Sequence, residues 1–310
     1  MRPLCHSLLA ATLLLAHCMP RNSAGHAGAS DSAAPSVGLR TTRSSPSDLE
    51  LGGDLAGLAP GTTRYISRDD LLALPQQAYA VTDDPNFTRP TRIGGVPLKE
   101  LGRRLGAAPE ADLIVAICND QYRANYSRAY IALHQPLLVL TIDGKPPAGP
   151  PKGAEGHGSD MGPYMISHPS FTSTFKILSG QDEPQIPWGV VRIEFRDEDA
   201  VFRSIAPRRP QAAEPTVQAG YRIAQQNCFR CHNMGREGGQ KSGHSWLVLS
   251  AWAAASPDYF AAYVRDPRTR NPRAQMPGNP GYDDATIRAL TAYFRTFSPS
   301  VNGKQEKEKP

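Results

Sequence analysis

Five consecutive residues, Cys228-Phe229-Arg230-Cys231-His232, constrain this chain more than any other feature. Two thiols at this spacing fall on one side of a short helical turn, and an imidazole follows at once. C-x-x-C by itself is open to several chemistries: a redox dithiol, half of a zinc site, or a structural disulfide. Zinc needs a second ligand pair, and the only further cysteine beyond the N-terminal leader is the distant Cys118. A thioredoxin-like dithiol opens a helix after a strand, whereas a helical stretch, residues 217–226, precedes this motif. The adjacent His232 distinguishes the run. It fits covalent haem attachment, in which each thiol adds across a vinyl group to form a thioether and the imidazole ligates iron.

The surroundings extend the pattern. Gly220, upstream of Cys228, permits close helix packing, and Leu290 and Tyr293 of a helix expected over residues 284–297 supply a facing surface. Ser256 and Pro257 read as the N-cap and first position of another helix. Gln275-Met276-Pro277-Gly278 comes next. This order, over about residues 214–299, resembles a class I cytochrome c. The resemblance implies that Cys228 and Cys231 carry haem, with His232 as proximal and Met276 as distal iron ligand. Residue chemistry agrees for Met276, because a thioether is a soft ligand that favours Fe(II) and Pro277 and Gly278 set a turn that presents it. Filling a core gap is the alternative role for Met276. His244 is the rival ligand, although its Gly- and Ser-rich neighbours read as a surface loop. Many relatives have Gly-Pro-x-Leu between haem motif and middle helix. Here the segment is Lys241-Ser242-Gly243-His244-Ser245-Trp246-Leu247. Trp246 and Trp252 either join the small core or cover the haem edge, and core packing is the expectation.

The rest of the chain sets the context. Residues 1–27 read as an export signal: Arg2, an apolar run from Leu8 to Ala16, then Ala24 and Ala27 as cleavage positions. The run is too short for a membrane span. Export fits a periplasmic haem protein. Lipid anchoring through Cys18 is a minor alternative, since His17 is not the small residue such a site needs, and peripheral membrane association stays open. Residues 28–60, rich in Ser, Ala, Gly and Pro, read as a disordered linker. Residues 206–214 are a Pro-punctuated interdomain linker, and residues 300–310 a charged tail. A net charge of +5, with both signs spread along the chain, can steer an acidic redox partner but carries no nucleic-acid motif.

Residues 61–205 read as an α+β, β-rich module. Short helices are expected at residues 67–74 and 96–106, the second ended by Gly106. Strands are expected at residues 113–118, 126–133, 137–142 and 189–195, with a turn at Asp143-Gly144. Asp69 to Pro75, Gly95-Val96-Pro97-Leu98, the strand end Ala116-Ile117-Cys118, Leu140 to Pro146 and Gly162-Pro163-Tyr164-Met165 together resemble part of the sulfite oxidase-like molybdopterin-binding fold. The resemblance implies a strand-end cysteine as metal ligand, making Cys118 the molybdenum candidate. The Arg and Lys positions that would hold a pterin phosphate have no match here, so a reduced relative is expected. Cys118 as a small buried residue is the plain alternative. His157, Met161, Met165 and His168 could offer copper ligands, but their loose Gly- and Pro-rich spacing reads as a surface loop. Arg192, Glu194 and Arg196 alternate with apolar residues and read as a solvated strand face.

The chain is therefore expected to be a two-domain protein, an α+β module followed by an all-α class I cytochrome c domain. Single-electron transfer to redox partner proteins through one haem c is favoured over catalysis. The alternative is a single-chain oxidoreductase, with molybdenum or copper in the first domain feeding the haem.

Overall fold

The computed structural model describes residues 37–152 and 160–298. The export signal, Cys18, His157 and residues 299–310 lie outside the described residues. Among the described residues no helix is long and apolar enough to cross a membrane.

The N-terminal domain is built on two sheets. Its elements are β1 (Leu49–Gly53), β2 (Arg64–Ile66), α1 (Arg68–Leu72), β3 (Gln77–Val81), β4 (Thr91–Pro97), α2 (Leu98–Leu105), β5 (Leu113–Cys118), β6 (Arg123–Ser127), α3 (Arg128–His134), β7 (Leu137–Ile142), β8 (Met165–Ser167), β9 (Lys176–Ile177), β10 (Gly180–Gln181), β11 (Val190–Arg196) and α4 (Glu198–Arg203). The larger sheet has the order β2-β1-β11-β5-β6, with β1 and β11 parallel, and the smaller has the order β3-β4-β7-β8. The C-terminal domain is helical: α5 (Pro215–Asn227), α6 (Trp246–Ala255), α7 (Pro257–Arg265) and α8 (Asp284–Arg295), with a short hairpin of β12 (Asn233–Met234) and β13 (Glu237–Gly238) after the haem motif.

Three expectations need correction. Residues 37–60 are not a disordered linker, because β1 lies inside the larger sheet with Leu49 and Leu51 fully buried. The Ser- and Gly-rich composition hides a short Leu-x-Leu alternation that supplies an inward face. Residues 126–133 are not a strand. β6 ends at Ser127, whose side chain accepts from the Tyr130 amide and starts α3. Ser256 begins α7 as expected, but its side chain makes no capping bond, because it also closes the preceding α6, which the sequence reading did not separate.

The two domains share a core. Every residue of β5 is buried. A strand sends alternate side chains to opposite faces. Ile114, Ala116 and Cys118 enter the N-terminal core, while Leu113, Val115 and Ile117 enter a second cluster with Val217, Ile223, Phe229, Trp246 and Leu290. The continuous apolar run thus exists because the helical domain covers the sheet's other face. On that face Arg192, Glu194 and Arg196 are not simply solvated. Arg196 binds Glu194 at 3.0 Å and Glu237 of the helical domain at 2.6 Å. The connection at residues 206–214 is pinned as well: Tyr293 Oη donates to the Ile205 carbonyl at 2.6 Å, and the Arg208 amide donates to Thr296 Oγ1.

Candidate functional site

The haem motif is held by its two central residues. The last turn of α5 runs into it, with the Cys231 and His232 amides both donating to the Cys228 carbonyl. This turn places Cys228 and Cys231 on one side. Phe229 points away into the shared core, edge-on to Trp246 with ring centroids 5.5 Å apart. Arg230 reaches the N-terminal domain, where its Nη2 donates to the Glu183 carbonyl at 3.1 Å. Gly239 is required beneath the motif, since a Cβ there would collide with the Arg230 backbone.

Cys228, Cys231, His232 and Met276 all line one cavity of about 890 Å3. Its remaining walls in the helical domain include Leu249, Phe260, Val264, Leu290 and Phe294, an apolar lining suited to a flat hydrophobic ring. His232 is buried, and its Nδ1 lies 2.6 Å from the His244 carbonyl oxygen. That oxygen can only accept, so Nδ1 carries the proton and Nε2 keeps a free lone pair. Burial holds the imidazole below its usual pKa, with the His244 carbonyl bond opposing. Burial likewise pushes the Cys228 thiol up to about 12, and raises Cys231. Met276 is half-buried in the segment after α7. Of the two tryptophans, Trp246 is fully buried and donates to Tyr293 Oη at 3.1 Å, whereas Trp252 lines the cavity.

The residues and the cavity fit a covalently held haem: paired thiols, an imidazole with a fixed tautomer, and a thioether around one apolar space. A family model described as "Cytochrome C oxidase, cbb3-type, subunit III" matches residues 215–294. Residues 215–294 are a cytochrome c domain. Such a domain implies haem c and electron transfer with redox partner proteins. No curated protein matches the chain. A solved structure, the sulfane dehydrogenase SoxCD from Paracoccus pantotrophus, is similar at 14% identity with a TM-score of 0.33. The match covers 56% of this chain and 45% of that one, so the chain spans less than half of its length. That degree of likeness supports no conclusion about fold or activity.

The other side of the cavity comes from the N-terminal domain, which sequence reasoning missed. Cys118, Asp120 and Tyr122, at and just after the end of β5, and Glu183, Pro184, Ile186, Pro187 and Trp188 all contribute to it. Cys118 stood out in the sequence only as a candidate molybdenum ligand, and nothing marked the others, because all of them meet the cytochrome domain through tertiary packing. The contact is close: the Arg123 amide donates to the Arg230 carbonyl, the Gln240 amide to the Gln121 carbonyl, and Lys241 Nζ lies 2.6 Å from Asp120.

Cys118 lies at the cavity wall as a buried thiol. Its thiol is buried in the apolar core, and burial, with Asp120 adding, raises its pKa well above the usual thiol value. The copper constellation separates. Met161 and Met165 pack with Val81, Ile93, Leu137 and Val139, while His168 is buried against Tyr130, its Nε2 3.0 Å from the hydroxyl. Among the described residues, no cluster of three or more His, Cys, Asp and Glu side chains could hold a metal ion.

Proposed function

We propose that this protein is an exported, periplasmic c-type cytochrome that carries single electrons between redox partner proteins through one haem. The reading is carried by one observation: Cys228, Cys231, His232 and Met276 line the same cavity. Haem c bound there supplies a one-electron Fe(III)/Fe(II) couple. Cys228 and Cys231 would hold it through thioethers, and His232, through Nε2, and Met276 would ligate its iron. His244 is not suited to the distal position, because its backbone is tied to the Nδ1 side of His232. Leu249, Phe260 and Phe294 exclude water from the pocket, which favours the less charged reduced state. Residues 1–27 direct export as a signal peptide. The test is haem staining after denaturing electrophoresis. Wild-type protein is expected to retain haem, at one per chain by haemochrome assay, and a Cys228→Ala, Cys231→Ala double variant to lose it. Haem that washes away from wild-type protein on denaturation would overturn the reading.

A further inference from the structure

A haem pocket needs two sides, and here the second is built by a different domain. The cytochrome domain's own loop leans on the N-terminal domain at Arg230, Gln240 and Lys241. Lys241 lies over the rings of both Tyr122 and Trp188, each 5.9 Å from Nζ to the ring centroid. Leu113, Val115 and Ile117 continue the contact as a shared core. The N-terminal domain is therefore a fixed part of the pocket.

The unusual group in that pocket is Arg230. It is only 8% exposed, it lines the cavity, and its Nε is buried without a hydrogen-bond partner. A guanidinium is charged at every relevant pH, so this is a permanent cation, and a buried orphan donor costs free energy. Its other contacts come from the N-terminal domain: the Glu183 carbonyl at 3.1 Å, the Glu183 carboxylate at 3.8 Å, and the Tyr122 side chain. That carboxylate is 63% exposed, so water screens its compensation of the cation.

We propose that the N-terminal domain is the second wall of the haem pocket, and that it holds Arg230 there as a permanent buried cation which favours the reduced haem. The inference rests on the haem reading above. One-electron reduction lowers the charge on iron by one, so a fixed positive charge nearby stabilises Fe(II) over Fe(III). This gives the first domain a role, shielding the haem and setting its potential, that requires no second metal centre.

The experiment is a potentiometric titration of the full-length holoprotein, with haem content measured in parallel. Arg230→Gln is expected to shift the midpoint to lower potential while keeping covalent haem, and Arg230→Lys, which keeps the charge, to restore most of the shift. Glu183→Gln, at an exposed position that packing does not depend on, removes the opposing carboxylate and is expected to shift the midpoint upward. If Arg230→Gln fails to fold, the Glu183→Gln result decides. A haem-loaded Arg230→Gln protein with an unchanged midpoint, or a Glu183→Gln midpoint that stays put or falls, would overturn this inference alone. Wild-type protein without covalent haem would overturn it together with the proposed function.

Discussion

The Nδ1 of His232 is held by the carbonyl oxygen of His244 at 2.6 Å, so the loop after the haem motif orients the proximal imidazole. A ring tied at one nitrogen can rotate little, and its other nitrogen is left for the cavity. His232→Ala is accordingly expected to keep haem covalently attached through Cys228 and Cys231 but to lose the low-spin absorption spectrum. Added imidazole should restore much of it. A low-spin spectrum that survives the substitution without imidazole would remove His232 from the ligand set.

Met276 is tested by a different property. It brings a soft thioether to the cavity from the segment after α7. Replacing it with alanine should open a coordination position, allow carbon monoxide to bind the reduced protein, and lower the midpoint potential. Met276→His should recover a six-coordinate spectrum while leaving the potential low. An unchanged potential in Met276→Ala would assign the thioether to core packing.

Much of the cytochrome domain was legible because covalent chemistry and helix periodicity leave local marks. Cys228 to His232 and Pro257 act through near neighbours in sequence, while Gly220 was legible as a small residue although it meets Ala289 of the distant α8. Among the N-terminal strands, β5 and β7 were legible as largely apolar runs and β11 as an alternation of apolar and charged residues. What stayed hidden was set by distant partners. β1 is short and polar-flanked and becomes a strand by pairing with β2 on one side and with β11, far along the chain, on the other. Arg196 looks solvated until Glu237 arrives from the other domain, and Arg192 until Glu50 of β1 pairs with it. Cys118 reads as a possible metal ligand because strand-end position is visible in sequence, while the thiol's apolar surroundings are not.

Gly220 marks the tightest helix crossing. A Cβ there would collide with the Ala289 carbonyl and come within 2.8 Å of the Tyr293 Cβ. Both obstacles are fixed, so the helices α5 and α8 must separate. Gly220→Ala is expected to cost about 1–3 kcal/mol in urea unfolding, despite alanine's better helix propensity. Gly243, with open space where its Cβ would be, serves as control, and Gly243→Ala should be close to neutral. Equal stabilities for the two variants would contradict the crossing described here.

Cys118 separates the electron-carrier reading from a two-centre oxidoreductase. Cys118 is buried at the cavity wall, and Cys118→Ala should leave iron content and covalent haem unchanged and cost about 1 kcal/mol of stability. Elemental analysis of wild-type protein prepared with molybdate and copper present should find iron alone in stoichiometric amount. Stoichiometric molybdenum that disappears in Cys118→Ala would reverse the assignment.

His168 makes the fold sensitive to acid. Tyr130 Oη accepts from the Gln185 amide at 3.1 Å and shares a hydrogen bond with His168 Nε2 at 3.0 Å. Burial, with the neighbouring His134 adding, lowers its pKa to about 3 from an ordinary value of 6.5. In the unfolded chain the ring takes up a proton as pH falls through about 6.5, and in the folded protein it does not until about 3. The unfolded state therefore binds more protons across that window, and stability must fall on acidification. A single group gives a slope of at most about 1.4 kcal/mol per pH unit. Urea unfolding should show a loss of about 2 kcal/mol from this residue between pH 7 and pH 5. His168→Gln should be less stable at neutral pH, having lost the imidazole's packing, yet show a flatter dependence over the same range. An identical slope in the variant would mean that other groups, His134 beside Asp182 among them, govern the acid response.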